Sequence, residues 1–163
     1  MTTRVLTVCA GNICRSPAAA AAIRAAAAEA GVVVEVDSAG TGAWNLGEPP
    51  HPASVAAGAR AGLEISGRAR RINRADFDRF DMVLVMDRSN LRDVLELAPR
   101  LEDRAKVRLF RTFDPDTDSD EVPDPYGGPD KGYDSMISQV VAAASGLVDA
   151  VRSVGAEESV ALE

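Results

Sequence analysis

Residues 4–17 read Arg4-Val-Leu-Thr-Val-Cys9-Ala-Gly-Asn-Ile-Cys14-Arg15-Ser16-Pro17. Arg4–Cys9 is short, apolar and rich in β-branched residues, the composition of a buried strand. Ser16 is a favourable N-cap and Pro17 a favourable first helical residue, and the Ala-rich segment from Ser16 to Ala30 has strong helix propensity. The turn between Cys9 and Arg15 therefore lies at a helix N-terminus, where free amides and the dipole favour anions. Gly11 and Asn12 tolerate the left-handed conformations that turn successive amides toward one point. Arg15 offers a planar fork of donors matched to two phosphate oxygens. A cysteine at such a helix start is favoured as thiolate and nucleophile. Together these residues read as a phosphate trap with Cys9 at its floor.

Outward from this stretch the chain alternates strand and helix. Strands are expected at Val32–Val36, Asp81–Met86 and Lys106–Phe110, and helices at Pro52–Leu63, Asn73–Phe80, Arg88–Ala98 and Tyr133–Val154. Four strands joined by helices imply an α/β fold: a four-stranded parallel sheet flanked by helices on both faces, with the phosphate loop after the first strand. Ligands of such sheets bind beyond the strands' carboxyl ends. Two segments break the rhythm, Gly40–Pro52 and Phe113–Gly132. The first is turn-rich; the second is a structureless stretch of about 20 residues, a length more often functional than accidental.

At 163 residues the chain fits one domain, assigned to residues 1–154, with a polar tail at 155–163 expected to fray. No run of 18 apolar residues occurs, which excludes a spanning helix on that criterion, and Arg15 interrupts the N-terminal apolar run before a cleavable signal pattern. Two cysteines are too few for a disulfide scaffold, so a reducing cytoplasm is expected. A net charge of -7 argues against nucleic-acid and anionic-membrane partners.

Val8–Pro17 resembles the active-site loop of the low-molecular-weight protein tyrosine phosphatases. Asp37-Ser-Ala-Gly-Thr41, Met86-Asp-Arg-Ser-Asn-Leu-Arg92 and Asp124-Pro-Tyr126 resemble further motifs of that family, so the similarity runs from residue 4 to about residue 152. It implies a phosphotyrosine-protein phosphatase that hydrolyses aryl phosphate monoesters through a phosphocysteine, without metal or cofactor. Cys9 would attack phosphorus. Arg15 and the loop Ala10, Gly11, Asn12, Ile13, Cys14, Arg15 and Ser16 would bind the phosphate. Asn12, supported by Ser38, would hold the loop's turn, and Ser16 would hydrogen-bond the Cys9 sulfur. Asp124 would be the acid, Asp87 would orient Arg15, and Ile13, Trp44 and Tyr126 would wall the substrate. Cys14 reads either as small buried filler or as a redox partner of Cys9, and the resemblance favours the second. The partner implied is a phosphotyrosine-containing protein, met by a monomer or weak homodimer. The second tyrosine that the family often carries after Tyr126 is replaced by Gly127.

Several residues admit another reading. Asp114-Pro115 and Asp124-Pro125 lie in one loop, and composition alone does not choose between them; Tyr126-Gly127-Gly128 favours Asp124 through the resemblance. Asp114-x-Asp116-x-Asp118 starts like a calcium loop but has Ser119 where Gly is needed and Pro125 where Glu is needed. His51, the one histidine, is remote from Cys9 in sequence, which disfavours a Cys-His protease. Arg68, Arg70, Arg71 and Arg74 read as a solvated basic face. Asp87 would suffice as the cap of the helix after it. Competing functions are a thiol-dependent arsenate reductase, whose internal relay would need later cysteines that residues 15–163 lack, a protein-arginine phosphatase, which tends to carry Thr at Ile13, and a catalytically silent phosphopeptide-binding module.

Overall fold

In the computed structural model, which describes residues 2–162 and the side chains of residues 2–156, four strands form one parallel sheet. They are β1 (Thr3–Cys9), β2 (Val34–Gly40), β3 (Met82–Val85) and β4 (Val107–Leu109), in the order β2-β1-β3-β4. The helices are α1 (Arg15–Ala30), α2 (Pro52–Arg60), α3 (Asp76–Arg79), α4 (Arg88–Leu97), α5 (Leu101–Arg104) and α6 (Asp130–Leu162), with a 3-10 turn at Phe110–Phe113.

The period-2 alternation of β1 divides the core in two. Val5 and Cys9 face a cluster built with α1 and α6, while Leu6 and Val8 face Phe77, Phe80 and Val94 on the other side. Leu6, Val8, Val83 and Val85 are fully buried, each contributing about 1.5–3 kcal/mol of transfer free energy. The alanines in the first half of α1, Ala18 to Ala22, are buried, and their small side chains let α6 approach closely. Since β1 leads to β2 on one side and neighbours β3 on the other, the carboxyl ends of β1 and β3 open the crevice where such sheets bind ligands.

Element boundaries depart from the sequence expectation for local reasons. The second strand starts at Val34 rather than Val32, because Gly31 (φ 69°) closes α1 and the Val32 N–H donates to Ala27 O at 2.9 Å. It then continues to Gly40, in register with Cys9. Ser16 is not an N-cap: α1 begins at Arg15, its Cys14 cap makes no side-chain hydrogen bond, and the Ser16 hydroxyl is engaged elsewhere. α2 stops at Arg60, followed by Gly62 at φ 78°. The expected helix at Asn73–Phe80 shortens to α3, and α5 has no counterpart in the sequence reading.

α6 starts at Asp130, before Tyr133, and runs past Val154 to Leu162. Residues 155–162, read as a frayed tail, thus carry helical backbone, and Glu163 lies outside the described residues. Over Asp130–Ala156 the helix is long and apolar enough, by length and composition, to cross a membrane, contrary to the run criterion. Its apolar residues recur at helical spacing, and Tyr133, Met136, Ile137, Val140, Ala144 and Leu147 are packed into the core.

Candidate active site

Asn12 organises the loop between β1 and α1. Its φ of 57° makes it the one non-glycine residue in the left-handed region among the described residues. Its Nδ2 donates to Ser16 Oγ at 2.8 Å and to Ser38 Oγ at 2.9 Å, while its Oδ1 accepts the Arg70 N–H at 2.9 Å. Both amide hydrogens and the amide oxygen of the side chain thus hold one strained turn in place.

The loop's carbonyls are tied outward. Thr41 N–H donates to Cys9 O at 2.9 Å, Gly42 N–H to Ala10 O at 3.0 Å and His51 N–H to Ile13 O at 2.8 Å. Asn45 Nδ2 donates to Gly11 O at 3.2 Å and Ser54 Oγ to Cys14 O at 3.2 Å. Gly40 permits the close approach of β2's end, since a Cβ there would lie 2.7 Å from Ala10 O. The amides of Gly11, Ile13 and Cys14 have no partner among the described residues. Outward carbonyls with unpaired amides at a helix start make an anion-binding nest.

Cys9 is buried at the floor. Its Sγ accepts the Asn12 N–H at 3.3 Å and lies 3.1 Å from Ser16 Oγ. Arg15, only 2% exposed, donates through Nη1 to Asp87 Oδ2 at 2.6 Å and to Val122 O at 3.0 Å, and its Nη2 lies 3.7 Å from Asp124 Oδ2. Asp87 fills both roles that its position suggested: its Oδ1 accepts the Asn90 N–H at 2.8 Å, capping α4, while Oδ2 holds Arg15. Val122 is fully buried and its N–H donates to Met86 O at 2.8 Å, so the segment leading to Asp124 is fastened to the end of β3.

A cleft of about 260 Å³ opens above the loop, lined by Cys9, Ala10, Gly11, Ile13, Cys14, Arg15, Trp44, Asn45, Asp124 and Tyr126. The expected walls Ile13, Trp44 and Tyr126 come together there, Ile13 buried and both aromatic rings exposed. Asn12, Ser16, Ser38 and Asp87 do not line the cleft; they brace the loop and Arg15 from behind. Asp114 does not line it either, and its Oδ1 accepts the Asp116 N–H in a local turn. Among the described residues, no three His, Cys, Asp or Glu side chains gather as a metal site.

Three contributors escaped the sequence reading. Asn45 sits in a turn-rich segment whose composition signals a loop but not its target. Arg70 was grouped with a solvated basic face, yet its guanidinium pairs with fully buried Asp76 and with Asp37, and its backbone N–H serves Asn12. Burial works against the Arg70 charge, but the two carboxylates outweigh it and raise its pKa. His51, set aside as a catalytic base, packs beside the cleft against Tyr126 and Tyr133. Cys14 is buried, and desolvation, then the charges of Cys9 and Asp124, push its thiol up to about 12.

Residues 4–158 match the family model described as low molecular weight phosphotyrosine protein phosphatase. A low molecular weight protein-tyrosine-phosphatase of Streptomyces coelicolor is 45% identical over 156 residues, covering 93% of this chain and 95% of that one. The low molecular weight phosphotyrosine protein phosphatase of Sus scrofa is 36% identical, covering 93% of this chain and 98% of that one. Among solved structures, a protein tyrosine phosphatase of Entamoeba histolytica with Hepes in its active site superposes with a TM-score of 0.90 at 29% identity, over 94% of this chain and 99% of that one. By these matches the chain belongs to the low molecular weight phosphotyrosine protein phosphatase family.

Proposed function

We propose that this phosphatase works through Cys9, Arg15 and Asp124 on phosphotyrosine side chains of protein substrates. The observation that carries the reading is the convergence of Cys9 Sγ, the Arg15 guanidinium and the Asp124 carboxylate on one cleft. In the first step the Cys9 thiolate attacks phosphorus while the P–O bond to the phenol breaks and Asp124 protonates the leaving oxygen. Asp124 Oδ1 accepts the Tyr126 N–H at 3.1 Å and Oδ2 lies 3.7 Å from Arg15 Nη2, so the carboxyl group is held at the cleft. In the second step Asp124 takes a proton from water, the water oxygen attacks phosphorus, and the S–P bond breaks. Asn12 N–H and Ser16 Oγ then stabilise the departing thiolate. Arg15 and the unpaired amides hold the equatorial oxygens as charge spreads in each transition state.

Ile13, Trp44 and Tyr126 make a slot suited to a flat ring, too deep for a short phosphoserine to reach sulfur. The same reading places the enzyme in the cytoplasm, as a monomer or weak homodimer, with Cys14 as the thiol that protects Cys9 from over-oxidation.

The test is a leaving-group series. Cys9→Ser abolishes turnover yet still binds phosphate. Asp124→Ala slows esters of weakly acidic phenols strongly, by the ~100-fold or more expected of a general acid, and esters of acidic phenols far less. Wild-type kcat/KM for phosphotyrosine peptides exceeds that for phosphoserine peptides by at least about 100-fold. Equal losses across the series return the acid role to Asp114, and comparable rates on phosphoarginine overturn Ile13 as selector.

A further inference from the structure

We propose that His51 is a positioning residue that holds the aromatic wall of the cleft; this rests on the reading that the cleft receives a phosphorylated aromatic ring. His51 stands at the N-terminus of α2. Its backbone N–H donates to Ile13 O at 2.8 Å, and its Nδ1 accepts the Ala53 N–H at 3.1 Å, which caps the helix. These two bonds fix both the backbone and the plane of the imidazole.

The faces of that ring are used. One stacks on Tyr133, with centroids 5.5 Å apart and planes inclined by 18°. Tyr126 meets the imidazole edge-on, at 5.6 Å and 81°. Both geometries are favourable arrangements of aromatic quadrupoles. Tyr133 is 2% exposed and locked in the core by α6, whereas Tyr126 is 64% exposed on the cleft. His51 is therefore the link between a buried ring and an exposed one. The backbone at Tyr126 is a turn, with the Gly128 N–H donating to Pro125 O at 3.0 Å and Gly127 at φ 81°, and it leaves the ring itself exposed on the cleft. The imidazole supplies the lateral aromatic contact that the exposed Tyr126 ring has here.

The cap and the ring contact are separable by substitution, which makes the role testable. Asparagine caps a helix well but has no ring; phenylalanine has a ring but cannot cap. In His51→Asn, which keeps the cap and loses the ring contacts, the thermal midpoint falls less than in His51→Phe, and inhibition by inorganic phosphate, which needs only the loop, is unchanged. The KM for 4-nitrophenyl phosphate rises about threefold to tenfold, the range of one lost aromatic contact, with kcat little altered. In His51→Phe, the midpoint falls while KM returns toward the wild-type value. The opposite ranking of the two variants in stability and in KM is the signature of positioning, which a merely structural histidine would not give.

Three results overturn the inference: an unchanged KM in His51→Asn, an equal weakening of phosphate and aryl phosphate, or a folded His51→Phe with KM no better than His51→Asn. A wild type that binds phosphate but leaves aryl phosphates intact overturns the reading of the cleft together with this inference. An active wild type that His51→Asn matches overturns the inference alone.

Discussion

Cys9 and Cys14 are both free and both buried, yet their surroundings prepare them for different chemistry. Cys9 Sγ has an amide and a hydroxyl beside it, whereas Cys14 is desolvated and faces negative neighbours that hold its thiol up to about 12. Peroxide oxidises a Cys9 thiolate to the sulfenic acid. A Cys14 thiolate can then displace hydroxide from that sulfur and form a disulfide, which dithiothreitol reduces. Once Cys9 is the neutral sulfenic acid its charge no longer acts on Cys14, but desolvation, the largest cause, still holds that thiol above its ordinary value, so its thiolate fraction keeps growing with pH through the neutral range. Capture should therefore accelerate steadily from about pH 7 to 9 without a plateau, and Cys14→Ala should lose reactivation by dithiothreitol while keeping its initial activity. Mass spectrometry of quenched samples, read beside recovered activity, checks both. A plateau near neutrality, or full recovery in Cys14→Ala, would remove Cys14 from this role.

At the scale of elements, the phosphate loop is held by the segment after α2 as much as by β1. Arg70 joins them: its backbone fixes Asn12 while its side chain neutralises Asp76, which has no solvent of its own. Arg70→Met leaves that carboxylate unpaired by its main partner. The loss should be about 2 kcal/mol, below the ~3–5 kcal/mol of a fully buried pair because Arg70 keeps some solvent contact. Phosphate inhibition should weaken with it, and adding Asp76→Asn should restore part of the stability. Urea titrations of the two variants provide the measurement. The sequence made the nest legible, because cysteine, glycine, asparagine and arginine each declare a chemistry at fixed spacing. It hid Arg70, since a solvated arginine and a clamped one look alike until the chain brings Asp37 and Asp76 alongside. Val32 misled for a related reason: β-branched residues announce a strand, but its N–H was already claimed by the end of α1.

For the molecule as a whole, the order of strands and helices followed from periodicity, while the packing of α6 did not. Gly146 lies where that helix meets the 3-10 turn, and a Cβ there would come within 1.8 Å of Phe113 O. Alanine normally favours a helix over glycine by up to about 1 kcal/mol, but backbone cannot yield as a side chain does. Gly146→Ala should thus destabilise by about 1–3 kcal/mol, lowering the thermal midpoint by roughly 2–10 °C, with KM at the distant cleft unchanged. Scanning calorimetry beside a saturation curve separates the two effects. No sequence pattern marked this glycine, because its reason is a contact between segments far apart in the chain.

Val122 has a mechanical consequence. Its N–H and carbonyl are both engaged, to Met86 and to Arg15, and its side chain is sealed in the core. Beyond it, Pro123 and Pro125 stiffen the backbone on either side of Asp124. The carboxylate thus rides on a short rigid arm with a fixed pivot. Fluctuations of the exposed acidic stretch before Val122 are damped at that pivot. A change in length or charge within residues 114–119 should therefore meet a fixed point before it reaches the proton donor.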